Sequence, residues 1–221
     1  MPLRLIANAF EPDGSLDRAV EAEHRIANNL ALIASLVRMQ SSSLPTGHSM
    51  PVEDVRIQLE EICARIETVG RLHRLLVRRE GQTSVDLGSY LREISEVIVS
   101  SLANRERVLL AAELESCCIT SPKQAVAVGL IVCEAITNSL KYAHPTGVAG
   151  KLQLGCRQAA DGVAIEVTDD GVGLPEGLDP MTEGALGFRL MRTLAAQLGA
   201  RLEFEELPIG LCVRITLPYE N

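Results

Sequence analysis

Three polar side chains recur at helical spacing near the middle of the chain, inside an otherwise apolar segment. Glu134, Asn138 and Lys141 stand at positions i, i+4 and i+7, which places them on one face of a helix. Carboxylate and amide oxygens are suitable ligands for a hard cation such as Mg²⁺, and an ammonium group offsets phosphate charge. The stripe therefore predicts a magnesium and phosphate site. A polar stripe facing solvent is the alternative, since amphipathic helices normally carry one.

A second segment leads from a β-branched strand into an acid and two glycines. It spans Val163 to Gly173 and reads VAIEVTDDGVG, with Asp169 where the strand ends. A carboxylate fixed at a strand end can accept a hydrogen bond from an adenine amino group, and glycines let the backbone approach a ligand closely. The same pattern also fits an ordinary turn, because Asp and Gly are common turn residues.

A third segment, GALGF at residues 184–188, stands just before an amphipathic helix. A glycine-rich loop that opens a helix presents free N–H groups and a partial positive charge to phosphate. Alone, the pattern is weak, because Gly187 also fits a tight turn.

One of the four histidines, His24, differs from the others in its predicted position, although a lone exposed histidine usually needs no functional explanation. On a helix spanning Leu16–Gln40, His24 falls nearly opposite the apolar arc, so its imidazole is expected to face solvent. Small or polar neighbours on the same side leave room for a large partner. These neighbours are Ala27, Asn28, Ala31 and Ser35. Ordinary surface roles suffice for the remaining histidines, which are His48, His73 and His144.

These three segments, Glu134–Tyr142, Val163–Gly173 and residues 184–188, resemble in their order and spacing the ATP-binding (Bergerat) fold shared by gyrase, the MutL repair proteins and histidine kinases. The resemblance covers about Leu87 to Pro218, and Lys141-Tyr142 match the N-x-x-K-Y pattern of the kinase branch. It implies that Asn138 holds Mg²⁺ and that Asp169 recognises the adenine of ATP. It also implies a set of glycines that shape the pocket and its lid: Gly171, Gly173, Gly184 and Gly187.

The residues around His24 resemble the phosphoacceptor helix of one histidine kinase subgroup. The segment EAEHRIANNL, residues 21–30, follows the pattern E-x-x-H-R-x-K-N-N-L-Q, with Ala27 in place of Lys and Ala31 in place of Gln. The resemblance implies that a neutral imidazole nitrogen of His24 attacks the γ-phosphoryl group of ATP.

Three neighbours of His24 are given roles on the same basis. We hypothesise that Glu21, one turn earlier, orients the imidazole or accepts its proton. Arg25 is placed to steady phosphate charge. Asn28 occupies the position from which related kinases orient a water for dephosphorylating a partner, so phosphatase activity is a lesser expectation.

Two amphipathic helices must position the histidine. Leu16–Gln40 carries a broad apolar arc, and the stretch from Val55 to Leu76 carries an apolar stripe at alternating spacings of four and three. A cluster of Ser, Pro and Gly between them predicts a loop and an antiparallel hairpin. Two hairpins pairing into a four-helix bundle would enclose these apolar faces, so we predict a homodimer. Packing of the hairpin on the rest of its own chain is the alternative.

Beyond a predicted linker at Gly81–Ser84, helices and strands alternate. The helices are predicted at 87–103, 122–143 and 186–198, and the strands at 107–114, 150–157, 163–169, 200–206 and 211–217. We predict an α+β fold with two domains. Residues 1–80 form the dimerisation and phosphotransfer hairpin, and residues 84–221 form an α/β sandwich with a mixed sheet that binds ATP.

Composition and charge argue against other classes of function. The net charge of −8 disfavours general nucleic-acid binding, which needs a cationic surface. Six cysteines show neither metal-ligand spacing nor a C-x-x-C pair and are interpreted as reduced structural thiols. The first residues carry no secretory signal and no apolar run is long enough to span a bilayer, so a cytoplasmic location is predicted.

The sequence as a whole predicts a histidine kinase that uses ATP and Mg²⁺ to phosphorylate His24. The resemblance adds a relay of the phosphoryl group to the receiver-domain aspartate of a response regulator. No sensory domain precedes residue 15, so we expect either that a separate protein supplies the input signal or that the kinase is regulated through its dimer. Two alternatives stay open: a phosphotransfer or phosphatase docking module without ATPase activity, and a serine kinase that regulates a sigma factor.

Overall fold

The computed structural model describes residues 30–31, 33–35, 37–39, 41–42, 51–77, 84–102, 108–116, 118–146, 148–184 and 186–219. The described residues between 30 and 42 are helical, as predicted for the first helix. Four predicted site residues lie outside the described residues, and so does His48. The four are Glu21, His24, Arg25 and Asn28.

The second helix of the predicted hairpin, α1 (Val52–Val77), has two unlike halves. Its first half leaves large apolar side chains in solvent: Val52 is 85% exposed and Leu59 is 56% exposed. Its second half buries Val69 and Leu72, each only 2% exposed, in the main core of the chain. The C-terminal half of α1 therefore packs on the rest of its own chain, which was the alternative to pairing with a second hairpin.

The strands beyond the hairpin form a mixed sheet, as predicted. Its strands are β2 (Val108–Leu114), β4 (Gly150–Ala159), β5 (Gly162–Asp169), β6 (Arg201–Glu206) and β7 (Leu211–Leu217). They are ordered β2-β4-β5-β7-β6, with β2 parallel to β4 and every other neighbouring pair antiparallel. The two-residue strands β1 (Val85–Asp86) and β3 (Ile119–Thr120) form a separate antiparallel pair that the sequence pattern did not predict.

Three helices complete this part of the chain: α2 (Leu87–Leu102), α3 (Pro122–Asn138) and α4 (Leu186–Gln197). The start of α3 is fixed by a capping box, in which Ser121 and Gln124 satisfy each other's backbone N–H groups. Among the described residues one helix, Pro122–Ala143, is long and apolar enough to cross a membrane. Ten residues of α3 are buried inside the fold, and the core helix of a folded domain has this same length and apolar composition.

The predicted helix at 122–143 changes character at its end. It is α-helical as far as Asn138 and continues as a wider π-helical turn over Ser139–Ala143. A π turn is rare and is found most often at functional sites. Here it lies next to Asn138 and leads into the loop that faces the end of β5.

Candidate active site

The first part of the site lies where α3 faces the N-terminus of α4. Glu134 on α3 is buried, at 8% exposure, although its side chain is charged. A Cβ atom added at Gly187 would stand 2.7 Å from Glu134 Oε2 and 3.6 Å from Asn138 Oδ1. The carboxylate and the amide predicted to share one face are therefore brought together against the glycine that opens α4. Only a residue without a side chain fits there unless Glu134 moves.

Glu134 has a partner that the sequence pattern did not reveal. Arg65 of α1 donates from Nε to Oε1 at 2.9 Å and from Nη2 to Oε2 at 3.3 Å, so the guanidinium grips both carboxylate oxygens. The two side chains are only 14% and 11% exposed. The hairpin thus reaches into the site with a charged group.

The other residues of the predicted stripe lie nearer the surface. Lys141 Nζ stands 3.8 Å from Glu61 Oε1 of α1, and both side chains are partly exposed. Tyr142 is 62% exposed, and no described contact ties it to the Glu134 cluster. The wide π turn carries both residues beyond the last α-helical position, Asn138.

The second part of the site is Asp169, at the end of β5 and buried at 8% exposure. Its Oδ1 accepts N–H bonds from Gly171 (3.0 Å) and Leu211 (3.3 Å), and its Oδ2 accepts the hydroxyl of Ser139 (2.7 Å). Three donors from three segments hold the carboxylate in one orientation. A carboxylate has about four acceptor positions, so capacity remains for a ligand's N–H group.

The turn that follows Asp169 is packed against the π turn. A Cβ atom added at Gly171 would lie 2.4 Å from the carbonyl oxygen and 2.5 Å from the Cα of Ala143. The adjoining Val172 N–H donates to that same carbonyl at 2.9 Å. Gly171 is therefore required by close backbone packing, which links Asp169 to the end of the Asn138 helix.

The segment between Gly173 and Gly184, two of the glycines expected to shape the pocket and its lid, is held by polar contacts within it and with α4. Asp179 accepts from the Met181 N–H (2.8 Å) and the Thr182 hydroxyl (2.9 Å), which closes a turn. Arg192 of α4 donates from Nη1 to the carbonyl oxygens of Pro180 and Glu183. Both bounding glycines have positive φ, 74° at Gly173 and 98° at Gly184, a conformation that favours glycine.

Asp170 locks the outer edge of the site. Its Oδ1 accepts from the Lys151 N–H at 2.7 Å and lies 2.9 Å from His144 Nε2. The backbone N–H of Lys151, and to a lesser extent His144, hold the pKa of the Asp170 carboxyl below its usual value. His144, assigned an ordinary role from the sequence, thus joins the loop after the π turn to the start of β4.

Most cysteines in the described part of the chain are buried. Burial raises the pKa of the Cys133 thiol far above its usual value, and the neighbouring Glu134 carboxylate adds to that rise. Burial acts in the same direction on Cys156 and Cys212. Thiols held in this form are poor nucleophiles and poor metal ligands, which supports the structural role predicted for them.

Sequence reasoning missed three residues that shape the site. Ser139 was passed over because a serine in a helix usually needs no explanation, and Arg65 lies 69 positions from Glu134 with no local signal. Gly210 stood in a predicted turn: its φ is +91°, and an added Cβ would collide with the Asp169 carbonyl. A glycine in the turn between the last two strands was the one signal that the sequence offered.

The arrangement suits a magnesium-bound nucleotide. A fixed, buried carboxylate at a strand end can accept a hydrogen bond from a purine amino group, while an amide and a carboxylate at a helix N-terminus suit a hard cation and its phosphates. The convergence of the Glu134 and Asn138 side-chain oxygens beside Gly187 is the structural feature that favours this fit. Asn138, with Glu134 beside it, would hold Mg²⁺, and the cation would neutralise phosphate charge.

Two family models match the chain. One, described as histidine kinase, matches residues 21–102, and the other, described as a histidine kinase-like ATPase domain, matches residues 90–217. The second model covers more than half of the chain and contains every described residue of the candidate site except those on α1.

Curated relatives carry the same description. Blue-light-activated histidine kinase 2 of Erythrobacter litoralis is 30% identical over 210 residues, covering 92% of this chain and 58% of the relative. Sensor histidine kinase PdtaS of Mycobacterium tuberculosis is 26% identical over 182 residues, covering 80% of this chain and 34% of the relative. The chain therefore spans only part of the length of these relatives.

A solved structure has the same fold. The histidine kinase domain of the Erythrobacter litoralis EL346 blue-light-activated histidine kinase aligns with a TM-score of 0.63 at 27% identity. The alignment covers 86% of this chain and 95% of that domain, so it takes in helical residues as well as the sheet.

Proposed function

Because the chain belongs to the histidine kinase family and carries the family's ATPase domain, we propose that it uses Mg·ATP to phosphorylate its own His24. The proposal adds a second step, in which the phosphoryl group passes to an aspartate on the receiver domain of a response regulator. We place both steps in the cytoplasm, with the input signal supplied by another protein or by a segment outside this sequence.

The observation that carries the nucleotide part of the proposal is the state of Asp169. A buried carboxylate held by three donors cannot reorient, so it is prepared for one particular hydrogen bond. The three donors leave acceptor capacity on the carboxylate, which a ligand's N–H group can fill. Gly171 and Gly210 must both remain small for this carboxylate to stand where it does.

The chemistry proposed at His24 is an in-line transfer. A neutral imidazole nitrogen forms a bond to the γ-phosphorus as the bond to the β–γ bridging oxygen breaks, and ADP leaves with that electron pair. Glu21 orients the imidazole or accepts its proton, and Arg25 offsets charge on the transferred group. Asn28 is assigned to a later hydrolytic step, the orientation of a water during dephosphorylation of the partner.

We also propose that the chain forms a homodimer through the open half of α1. Val52, Val55 and Leu59 follow each other at helical spacings of three and four and remain 40% or more exposed. Leu30 on the preceding helical stretch is likewise 60% exposed. A second hairpin would cover this apolar surface. Sedimentation is expected to show a wild-type dimer that Leu59→Glu converts to monomer; a wild-type monomer would end this part of the proposal.

Incubation with γ-labelled ATP tests the kinase directly. The wild-type chain should acquire acid-labile label that is absent from His24→Ala and retained by His48→Ala, the matched histidine control. Label that is stable to acid, or that survives in His24→Ala, would contradict the proposal. Label on an added protein's serine would instead favour the sigma-factor kinase alternative.

The comparisons weigh against both alternatives. The histidine kinase model begins at residue 21 and so accounts for the hairpin, which a sigma-factor kinase leaves unexplained. The intact Asp169 and Gly187 positions argue against a docking module that has given up ATP.

A further inference from the structure

Two charged side chains of α1 lie against two charged side chains of the nucleotide site. Arg65 grips both oxygens of Glu134, and Glu61 stands 3.8 Å from Lys141 Nζ. The same Glu61 carboxylate lies 3.5 Å from Arg65 Nη1, so the four residues form one connected cluster. The cation of α1, Arg65, thus pairs with the acid of the site, Glu134, and the acid of α1, Glu61, pairs with the cation of the site, Lys141.

This cluster faces the groups that a magnesium-bound phosphate would use. Glu134 stands beside Asn138 at Gly187, and Lys141, in the π turn that follows, faces the same side of α1 as Glu134 does. A divalent cation needs the Glu134 and Asn138 oxygens, and a phosphate needs the lysine. Arg65 gives Glu134 the positive charge that the cation would supply, and Glu61 gives Lys141 the negative charge that the phosphate would supply.

We propose that Glu61 and Arg65 act as an internal stand-in for the magnesium–phosphate group, so that docking of the hairpin through these residues and binding of Mg·ATP oppose each other. The proposal rests on the proposed function, because it names a control of that same site. Mg·ATP releases Arg65 from Glu134 and Glu61 from Lys141, which loosens α1 around these residues while Val69 and Leu72 still pack in the core.

The Arg65–Glu134 pair dominates this control. A carboxylate at 11% exposure must keep a cationic partner, so either the guanidinium or the metal ion occupies it. The Lys141–Glu61 contact is longer and half in water, which makes it the weaker member of the pair. Removing Arg65 is therefore expected to have the larger consequence for nucleotide affinity.

Calorimetric titration with the magnesium complex of a non-hydrolysable ATP analogue tests the proposal on the full chain. Arg65→Gln is expected to bind about fivefold or more tightly than wild type, the range usual for coupled sites. Glu61→Gln is expected to shift affinity in the same direction by less. The matched control is Arg56→Gln, an arginine on the same helix paired with Glu53 in solvent, which should bind as wild type does.

Hydrogen exchange gives a second readout that does not depend on any variant. Adding the analogue to wild-type protein should speed amide exchange in the α1 segment 61–72, and Arg65→Gln should exchange quickly there without nucleotide. This measurement decides the matter even if Arg65→Gln proves too unstable to titrate.

The titration and exchange results separate a failure of the stand-in from a failure of the proposed function. Equal or weaker binding by Arg65→Gln, or unchanged exchange in 61–72 on adding the analogue to wild type, would overturn the stand-in while leaving the kinase proposal intact. Failure of both wild type and Arg65→Gln to bind the analogue would overturn the proposed function itself. Binding by Arg65→Gln alone would support the stand-in in its strongest form.

Discussion

The hairpin helix and the sheet domain are held by different kinds of contact. Helix α1 is anchored along one half only, through Val69, Leu72 and the Arg65 ion pair, and its other half stays open. The sheet domain fixes its site by hydrogen bonds that join several of its own segments, such as Ser139 to Asp169 and Leu211 to Asp169. The difference shows a site that is held by several contacts within one domain and a helix whose position depends on a few contacts with that domain.

The largest expected effect breaks the anchored half of α1. Leu72→Ala empties a position that is 2% exposed, so the free energy of unfolding should fall by about 2–5 kcal/mol. Ile57→Ala removes a similar side chain from a position of α1 that is 47% exposed and lies on the opposite side of the helix from Val55 and Leu59, so the loss there should stay below about 1 kcal/mol. Denaturant titration of both variants measures the difference, and similar losses would mean that the two halves of α1 do not differ in packing.

The next effect breaks the close packing at Gly171 that holds the Asp169 turn against the π turn. Gly171→Ala forces a Cβ into the backbone of Ala143, which should cost about 1–3 kcal/mol and weaken nucleotide binding. Gly155→Ala is the control, because its added Cβ finds only an ordinary 3.8 Å contact with Glu166. If thermal unfolding moved equally in both variants, close packing at Gly171 would not be what fixes the Asp169 turn.

The smallest effect concerns one charged group beside the site, the carboxylate of Asp170. The pKa of Asp170 is lowered in the folded chain, so its carboxylate stabilises the fold above the unfolded pKa near 3.8. That contribution is lost as pH falls through the lower, folded value. The stability gap between wild type and Asp170→Asn should be steady above about pH 5 and close below it. A gap that widens in acid would contradict the sign of this shift.

How far the sequence predicts the fold depends on the length and locality of each pattern. The strands β5 and β7 carry runs long enough for their period to be read, and their observed bounds lie within one residue of those predicted. Two-residue strands such as β1 have no period at all. The π turn was missed because its residues read like any continuation of an apolar helix.

The same limit applies to the site. Glu134, Asn138 and Gly187 carry local spacing, so they were predicted and are found together. Arg65 carries none, because its role arises only when a helix far away in sequence docks beside Glu134. For the same reason the sequence left open whether the apolar stripe of α1 meets a second chain or its own, and the structure assigns half of the stripe to its own.

The central claim is that Asp169 stands ready to bind a nucleotide, and calorimetry with Mg·ATP is its most direct test. Wild-type protein should bind, and Asp169→Asn should lose about tenfold or more, since a hydrogen bond to a charged group contributes about 1.5–3 kcal/mol. Asp161→Asn, which alters an exposed acid paired with Arg201 in a surface turn, should bind normally. A wild-type titration without heat, or an Asp169→Asn variant that binds as tightly as wild type, would contradict the account.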